Sequence, residues 1–452
     1  MIDSFPAAVK FLENYIPDPT KKFPGELGLL RMRTLMEFLG NPQDSYPTIH
    51  VGGTSGKGSA ATLIASILSQ KYIVGLHTSP HLVSIRERIK IFSKNKQQVT
   101  DNNKNNISEE KFVHILQEVI SAIQKLEKSE LGKPSYFEVV TAMAFLAFQR
   151  EEMDMAVIEV GMGGKFDATN VVKKPLVAVL TNIGLDHTEV LGDTVEKIAV
   201  DKSGIIKSAV EVVSGVTQPS VIKIIETSCR EKGAHLSLLG RDFSYSLQSI
   251  SEGGSVFDYQ GKHSYANLNL TLQGSYQIEN AAIGIRCIEV LPEKFSLSES
   301  QIRNGLKNAT IAGRFEILSK KPLIILDGAH NEDKIRALMS SLRTMYPKKT
   351  ITTLLAIKND KRQEAMLRVL LLYCKKIILT KFSLTTDMGE TLSFPPEELK
   401  KTILTIDPTA EVQVLPDVSI ALQQAKREIK RDLLLITGSL YLVGEVKKVL
   451  SI

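Results

Sequence analysis

The sequence predicts an α/β protein with two domains, a doubly wound parallel sheet followed by a smaller α/β domain. Three observations carry this prediction. Short β-branched runs alternate with segments of helical period along most of the 452 residues, a pattern typical of parallel sheets. A glycine-rich turn near residue 57 joins one such run to an amphipathic segment. A second series of strand-like runs begins near residue 314, after a change of pattern.

The first half of the chain contains five candidate strands, each followed by a helical stretch or a polar turn. They are YPTIHVGG, YIVGLHTS, MAVIEVG, PLVAVLTNI and EVVSGV. The polar segment 93–110 is rich in Asn and Lys, and we expect an exposed excursion there without an assigned function. Residues 236–274 change to alternating, glycine-punctuated runs, which predict antiparallel hairpins at the margin of the first domain.

The second half contains six further candidate strands, FEIL, PLIILDGAH, TITTLLAI, KIILTKF, EVQVL and DLLLITGS. Together they predict a second domain of roughly 140 residues, a usual domain size. The helical segment 296–313 is the expected bridge. We therefore expect domains at 1–310 and 311–452.

Composition narrows the class of protein. With 43% hydrophobic and 23% charged residues, the chain can form ample cores. The start of the chain lacks a basic, then apolar, signal pattern, and its most apolar stretch, VVTAMAFLAF, is too short to span a bilayer. We therefore expect a cytoplasmic protein that does not enter membranes.

Cysteines and charge exclude further classes. Cys229, Cys287 and Cys374 lie far apart in apolar or amphipathic settings, so we interpret them as packing residues rather than disulfide or zinc ligands. The net charge of +6 comes from scattered Lys and Arg. Since no basic stripe is present, an anionic small substrate explains the charge as well as a nucleic acid would, and we expect no nucleic-acid partner.

The segment HVGGTSGKGSAATLIASIL, residues 50–68, predicts a strand end, a glycine-rich turn and a helix. Glycines let the backbone approach an anion, and N–H groups at the helix start point at phosphate oxygens. Lys57 would add a charge, and Ser59 a hydroxyl for Mg²⁺. Gly58 separates these two residues, so the spacing departs from the strict Walker motif, and a plain turn is the alternative. We expect a P-loop-type first domain and a Rossmann-like second domain.

Polar side chains follow three other candidate strands, at the sheet edge where open α/β sheets place ligands. Ser79 follows the first, Glu159 the second, and His187 the third. Glu159, His187 and a phosphate-loop hydroxyl would suit Mg²⁺, although His is an unusual ligand for that ion. Each also has a structural explanation: a buried cation could pair with Glu159, His187 could cap a turn, and Ser79 could simply precede Pro80.

The segment DTVEKIAVDKSGIIK predicts a helix that Asp193 caps and Glu196 completes in a capping-box-like start. Lys202 falls in its last turns. On physical grounds alone, a solvated lysine near a helix C-terminus is the favoured interpretation.

Ordered motifs give the chain a family resemblance. GTSGKGS, HTSPHLVSIRERI, SYFEVVTAMAFLAF, EVGMGGKFDATNV, TNIGLDHTEVLGDTVEKIAVDKSGIIK, GRFEIL, LDGAHN and TGSLYLVGEV occur in this order. Over nearly its whole length the chain resembles folylpolyglutamate synthases and bacterial bifunctional dihydrofolate synthases, with wider kinship to the ATP-dependent Mur ligases. The resemblance implies amide-bond formation: ATP phosphorylates a substrate carboxylate, and the amine of L-glutamate attacks the acyl phosphate.

The resemblance also implies roles for individual residues. Catalysis would involve Lys57, Lys202 and His187. ATP would contact Gly53, Thr54, Gly56, Lys57, Gly58, Ser59, Asn280, Arg314, Asp327 and His330. Mg²⁺, expected as two ions, would be held by Ser59, Ser79, Glu159, His187 and Lys202. The folate or dihydropteroate substrate would contact Gly28, Ser135, Tyr136, Phe137, Glu138, Phe166, Asp167 and Ala168, although Tyr136 and Phe137 fit equally well as core aromatics.

The resemblance changes the interpretation of Lys202, because the corresponding family lysine is commonly carbamylated and then orients a second Mg²⁺. This chain has DKSG there, where the family usually has EKAG, and Ser55 replaces a frequent Asn. A Mur peptide ligase and a nucleotide-dependent switch protein are the alternatives. We expect a monomer, and shared motifs leave open whether it synthesises dihydrofolate, extends polyglutamate, or does both.

Overall fold

The computed structural model describes residues 2–17, 23–93, 105–359, 361, 363–387, 389–429 and 432–451. These residues form two compact units. The first covers the described parts of Met1–Ser249, Val256–Thr271 and Gln277–Thr310, and the second those of Ile250–Ser255, Leu272–Tyr276 and Ile311–Ile452. Two short segments from before residue 310 thus group with the second unit, where the Ser275 N–H donates to Ser341 Oγ at 3.4 Å.

The first unit is organised around a seven-stranded sheet. Its strands are β1 (Thr48–Gly52), β2 (Val74–His77), β3 (Ile89–Phe92), β4 (Met155–Glu159), β5 (Val177–Leu180), β6 (Glu211–Ser214) and β7 (His235–Leu238). The order is β3-β2-β4-β1-β5-β6-β7. Only the β2–β3 pair is antiparallel. Because β1 lies between β4 and β5, the carboxyl ends of these three strands share one edge.

Helices cover this sheet. Those beginning before residue 310 are α1 (Phe5–Glu13), α2 (Glu26–Phe38), α3 (Lys57–Leu68), α4 (Glu109–Glu127), α5 (Tyr136–Arg150), α6 (Thr188–Leu191), α7 (Val195–Lys202), α8 (Pro219–Lys232), α9 (Tyr276–Glu289) and α10 (Glu299–Asn308). Every residue of α3 from Ser59 onward is buried. Helix α10, within the predicted bridge, packs on α3, and Ser66 Oγ donates to Gly305 O at 2.8 Å. The predicted bridge helix therefore belongs to the first unit.

A separate three-stranded sheet, ordered β10-β9-β8, contains β8 (Ser244–Ser251), β9 (Gly254–Gln260) and β10 (Ser264–Leu270). The two-residue connection between β8 and β9 makes them a hairpin, since parallel strands need a much longer crossover. The prediction of hairpins is confirmed here. It is wrong for the first residues of 236–274, because β7 pairs in parallel with β6 and extends the large sheet.

The second unit has its own six-stranded sheet, ordered β11-β12-β18-β13-β14-β17. The strands are β11 (Glu316–Lys320), β12 (Leu323–Leu326), β13 (Ile351–Leu355), β14 (Cys374–Leu379), β17 (Glu411–Val414) and β18 (Leu433–Thr437), with β15 (Ser383–Thr386) and β16 (Gly389–Leu392) as a separate antiparallel pair. The helices are α11 (Glu332–Met345), α12 (Gln363–Leu371), α13 (Pro396–Ile406), α14 (Val418–Glu428) and α15 (Leu440–Leu450). Except for edge strand β11, the sheet is parallel.

The predicted α/β class and all eleven predicted strands are confirmed, while β3, β15 and β16 were not predicted and β7 was expected in a hairpin. Most of the polar excursion 93–110 lies outside the described residues. The three cysteines are free thiols. Across the described residues, no helix combines the length and apolar character needed to cross a bilayer.

Candidate active site

The glycine-rich turn between β1 and α3 is tightly packed. Gly53 has φ +136° and Gly56 has φ +86°. A Cβ at Gly53 would lie 2.1 Å from Thr181 Oγ1, and a Cβ at Gly56 would lie 2.4 Å from Asn280 Oδ1. Only glycine satisfies both the positive φ and the close approach. The N-cap of α3 is Gly56, which has no side chain to cap the first turn, as at the glycine-rich helix starts that bind anions.

Hydrogen bonds from the end of β5 hold this turn, which we call the phosphate loop (residues 53–59). Thr181 donates its N–H to Gly52 O at 3.0 Å and its hydroxyl to Ser55 O at 2.7 Å. The Thr54 N–H donates to Asn182 O at 2.6 Å. Sequence reasoning missed Thr181, although its place at a strand end in TNIG was an available signal. The loop conformation thus depends on the neighbouring strand.

Glu159 ends β4 beside the phosphate loop. Its side chain is buried, and its Oε2 accepts the Ser79 N–H at 3.0 Å. Both carboxylate oxygens lie 3.4 Å from the position a Cβ on Gly58 would take. The structure therefore brings three of the predicted site residues together. A carboxylate in this position can hold a hard cation or orient a donor.

Lys202, the last residue of α7, is 4% exposed, and its Nζ donates to Gly53 O at 2.9 Å. Burial, followed by the positive charge of Lys57, lowers the pKa of Lys202 to about 7. The expectation of a solvated lysine is therefore wrong, because the side chain turns inward to the phosphate loop. This hydrogen bond links α7 to the loop.

The start of α7 also differs from expectation. Thr194 is the N-cap and accepts the Lys197 N–H at 3.3 Å, whereas Asp193 pairs with Lys197 Nζ at 2.8 Å. Glu196 accepts a hydrogen bond from the Ser220 hydroxyl. The predicted Asp193 cap is wrong because the helix begins one residue later.

Asp167 shapes the loop that follows β4. Its buried carboxylate accepts the N–H groups of Met162 and Thr169, each at 2.9 Å, and the Thr169 hydroxyl at 2.5 Å. Burial raises the pKa of Asp167 despite these bonds. His50 Nε2 in turn lies 2.8 Å from Thr169 Oγ1. Phe166 and Ala168, the predicted substrate residues on either side of Asp167, differ in their surroundings. Ala168 is buried, and the centroid of the Phe166 ring lies 4.8 Å from Lys165 Nζ.

His187 lies at the start of α6 in the left-handed conformation, with φ +51°. Its side chain is 42% exposed, and Nδ1 lies 3.9 Å from Glu189 Oε1. No group of three or more His, Cys, Asp or Glu side chains within the described residues forms a metal site. Because the predicted set also uses Ser and Lys, this finding does not test it, and the set stays a prediction.

The predicted pterin residues of α2 and α5 lie against one another. Glu138 accepts two hydrogen bonds from Arg31, both at 2.9 Å, and one from the Ser135 N–H at 3.1 Å. A Cβ on Gly28 would lie 3.0 Å from Glu138 Oε1. Arg31 was not predicted, and only its place in ELGLLRMR hinted at it.

The two aromatic candidates are partly core residues. Tyr136 is buried, and its N–H donates to Tyr15 O at 2.6 Å. The Phe137 ring centroid lies 6.1 Å from that of His77. Tyr136 therefore fits the packing interpretation that the sequence left open.

In the second unit, Asp327 organises the end of β12. It accepts the Phe315 N–H at 2.8 Å, the Ala329 N–H at 2.7 Å and the Tyr276 hydroxyl at 3.2 Å. Burial raises the pKa of Asp327, and the charge of Arg314 opposes that rise. Tyr276 was not predicted.

His330 is held in the same turn. Its Nδ1 lies 2.7 Å from Gly328 O, and its Nε2 lies 3.0 Å from Lys334 Nζ. These partners require that Nδ1 carries the proton and Nε2 accepts. Burial and the Lys334 charge keep the pKa of His330 well below its ordinary value. Arg314 Nη1 lies 2.8 Å from where a Cβ on Gly328 would be, so the predicted residues of this unit converge.

Comparisons with known proteins agree over nearly the whole chain. Residues 51–288 match the Mur ligase middle domain, and residues 314–450 match the dihydrofolate synthetase C-terminal domain. The dihydrofolate synthase/folylpolyglutamate synthase of Bacillus subtilis is 32% identical over 434 residues, 94% of this chain and 96% of that protein.

Solved structures agree as well. A folylpolyglutamate synthase from Thermotoga maritima is 36% identical with a TM-score of 0.82, covering 99% of this chain and 96% of that one. The Mycobacterium tuberculosis folylpolyglutamate synthase complexed with ADP is 28% identical with a TM-score of 0.85, covering 98% and 97%.

Proposed function

This chain belongs to the dihydrofolate synthase/folylpolyglutamate synthase family, and we propose that it is an ATP-dependent ligase acting on a folate or dihydropteroate carboxylate. It joins L-glutamate to that carboxylate through an acyl phosphate. The observation that best supports the proposal is the buried Lys202 amine bonded to Gly53 O of the phosphate loop. A nucleotide-binding turn alone would not need this second, buried lysine.

The phosphate loop would bind the phosphates of ATP. The N–H groups at the start of α3 and the Lys57 ammonium would face the β and γ phosphates of ATP. A carboxylate and a triphosphate repel each other, so positive charge and fixed N–H dipoles must hold the reactants in line. The hydrogen bonds from Thr181 keep the loop in that conformation before ATP arrives.

The reaction has two steps. A carboxylate oxygen of the substrate attacks the γ phosphorus, and ADP leaves. The neutral amine of L-glutamate then attacks the acyl carbon, phosphate leaves, and the amine nitrogen loses a proton. Lys57 stabilises the charge that develops on the phosphoryl oxygens. The family resemblance supports a catalytic role for His187.

Mg²⁺ fits part of the proposed ligand set. Glu159 supplies a buried carboxylate beside Gly58, and hydroxyl oxygens from Ser59 and Ser79 are the hard donors that this ion accepts. A bound Mg²⁺ would neutralise charge on the triphosphate. His187 and Lys202 complete the proposed set of ligands for two ions. Lys202 would act as a ligand only as its carbamate.

Carbamylation of Lys202 is supported by its environment. The neutral amine attacks the carbon of CO₂, one proton is released, and a carbamate anion results. A pKa lowered to about 7 leaves a substantial fraction of the amine neutral at neutral pH. With ¹³C-labelled bicarbonate, we expect a carbamate carbonyl signal in the NMR spectrum of the wild type that is absent from Lys202→Ala. A wild-type spectrum without that signal would refute the modification.

The division of labour between the domains is part of the proposal. We assign ATP binding and the pterin site to 1–310 and the remaining ATP contacts to 311–452. In the latter, Arg314, Asp327 and His330 would contact ATP, and Asn280 would contribute from 1–310. The N–H bonds to Asp327 make its turn rigid, which suits a binding role.

The pterin site is proposed at the loop after β4 and at the start of α5. Asp167 fixes the conformation of residues 162–169, which present Phe166 and Ala168. The Arg31–Glu138 pair fixes the start of α5, where Ser135 and Phe137 lie. Both supports are internal hydrogen-bond networks, so the substrate would meet preformed surfaces.

The decisive experiment offers the purified protein dihydropteroate, tetrahydrofolate and a UDP-muramyl peptide, each with ATP and L-glutamate. ADP release and product mass are measured. A glutamylated pterin or folate product supports the proposal and decides between the two folate reactions. Product from the muramyl peptide alone would establish a Mur-type peptide ligase, and nucleotide hydrolysis without any amide product would favour a switch protein.

A matched pair of variants ties the activity to the site. Lys202→Ala should lose most ligation while it still binds ATP. Lys197→Ala, on the same helix with a 64% exposed side chain, should keep wild-type turnover. Equal turnover in both variants would remove Lys202 from the mechanism.

We further propose that the protein is a cytoplasmic monomer that acts on small molecules. Three free thiols suit a reducing compartment. Sedimentation of the purified protein at micromolar concentration should give one species with the mass of a single chain.

A further inference from the structure

A second group of basic side chains lies at the opposite end of the large sheet from the phosphate loop. A cavity of about 430 Å³ is lined by Lys173, Lys174, Lys207 and Lys232, together with Gly204, Ile206 and Ser208. We call it the lysine pocket. Its volume falls in the range of small-molecule sites.

The topology separates this pocket from the phosphate loop. Lys173 and Lys174 precede β5, Lys207 precedes β6, and Lys232 precedes β7. The pocket is thus formed near the amino ends of three parallel strands. The phosphate loop and Glu159 follow the carboxyl ends of β1 and β4, at the opposite edge of the same sheet.

The pocket's positive charge is little neutralised by the protein. Lys207 Nζ donates to Asn170 Oδ1 at 2.8 Å, and Lys232 Nζ donates to Ile206 O at 2.8 Å, so both partners are uncharged. Within the part of the chain that the structure describes, Lys173 alone of the four lysines has an ion pair, with Asp44 at 3.5 Å across an exposed surface.

The lysines also repel one another. Burial, and after it the charges of Lys232 and Arg33, lower the pKa of Lys207 to about 8. Ordinary surface lysines extend into water and separate. Here the hydrogen bonds to Asn170 and Ile206 hold two ammonium groups beside the cavity, where a bound anion would relieve the repulsion.

We propose that the lysine pocket binds a small molecule that carries at least two closely spaced phosphate or carboxylate groups. Ammonium groups act as point charges and accept either type of oxyanion without the planar fit that Arg imposes. Several of them around one cavity favour multiple charges on one ligand over a single anion.

Calorimetry tests this with two probes, inorganic tripolyphosphate and tri-γ-glutamate, on protein saturated with ADP so that the nucleotide site is occupied. We expect about one equivalent of at least one probe to bind, and the probe that binds identifies the oxyanion. In Lys207→Gln/Lys232→Gln, its affinity should fall at least tenfold. The control Lys223→Gln/Lys128→Gln removes the same charge from exposed positions of the same unit and should change affinity less than twofold.

Three results would overturn the proposal. Neither probe binds; the control loses as much affinity as the pocket variant; or binding is lost in Lys57→Ala and kept in the pocket variant, which would place the probe on the phosphate loop. If the double variant does not fold, as judged by its thermal melt, Lys174→Gln replaces it. That exposed side chain can change without loss of internal hydrogen bonds, and a fall of at least threefold is expected.

Discussion

Replacing Lys202 by methionine should abolish ligation and yet stabilise the protein at neutral pH. The side chain is 4% exposed, and methionine has a similar length without the charge. Ligation should fall at least 100-fold, since the amine that lies on the phosphate loop is lost. The gain in stability follows because a buried ammonium opposes folding.

The structure gives the size of this effect. The pKa of Lys202 falls from the ordinary 10.5 to about 7. At pH 7 that shift costs the folded state about 4 kcal/mol, because the unfolded chain binds the proton more tightly. Methionine removes this cost but loses the hydrogen bond to Gly53 O, which is worth about 1–3 kcal/mol. The variant should therefore be more stable by about 1–3 kcal/mol at pH 7.

The pH dependence makes the prediction specific. A lysine whose pKa is lowered on folding destabilises the protein fully below pH 7, and this cost disappears as pH rises to 10.5. The advantage of Lys202→Met should thus shrink by roughly 3 kcal/mol between pH 7 and 9.5. Urea unfolding followed by circular dichroism, in buffers depleted of CO₂, measures it.

Lys197→Met is the control, since its exposed side chain should give a difference that does not change with pH. A Lys202→Met variant that is several kcal/mol less stable than wild type at every pH would refute the argument. It would mean that the buried lysine contributes to folding mainly as a hydrogen-bond donor.

Three further predictions concern other parts of the first unit. Gly53→Ala places a methyl group 2.1 Å from Thr181 Oγ1 at φ +136°, so ATP affinity measured by calorimetry should fall at least tenfold. Arg31→Ala leaves the Glu138 carboxylate, 3% exposed, without its ion pair, and the free energy of unfolding in urea should fall by about 3 kcal/mol. His77 is fully buried, and burial lowers its pKa to about 4. Because the unfolded chain binds the proton from pH 6.5 downward, folding stability should fall by roughly 2 kcal/mol between pH 7 and 5 relative to His77→Asn.

Each of these has a control. Gly132→Ala also has positive φ, +72°, but open space around its Cβ, so an equal loss of ATP affinity would show that the close approach is irrelevant. Arg31→Met/Glu138→Gln should recover most of the stability, and no recovery would contradict the buried-charge explanation. For His77, parallel pH profiles of wild type and His77→Asn would show that this ring does not limit acid stability.

The strands that the sequence predicted are those with local signals. The runs MAVIEVG and DLLLITGS contain consecutive apolar residues, MAVI and LLLI, as is typical of strands buried on both faces. The missed strands carry weaker signals. β3 (Ile89–Phe92) is a four-residue edge strand beside the polar segment, and β15 and β16 form a short pair outside the main sheets.

The residues of the candidate site also differ in how strongly the sequence indicated them. The spacing of Gly53, Gly56 and Lys57 indicated the phosphate loop, because a glycine-rich turn between strand and helix is a local pattern. The residues that support the site carried only weak signals in the sequence. Thr181 lies 126 residues from Ser55, and Arg31 lies 107 residues from Glu138. Their chemical types are common in every loop and helix, so only proximity in space distinguishes them.

The sequence by itself determined the α/β class, the order of most strands along the chain and the position of the phosphate loop, since backbone conformation and hydrophobic periodicity are short-range properties. Tertiary structure alone decided the environment of the Lys202 side chain. A lysine in the last turn of a helix is stable in water, and nothing within one turn of it indicates burial. Its amine meets Gly53 O across 149 residues of chain. The burial of the amine at that place, and after it the charge of Lys57, gives Lys202 the lowered pKa on which its proposed chemistry depends.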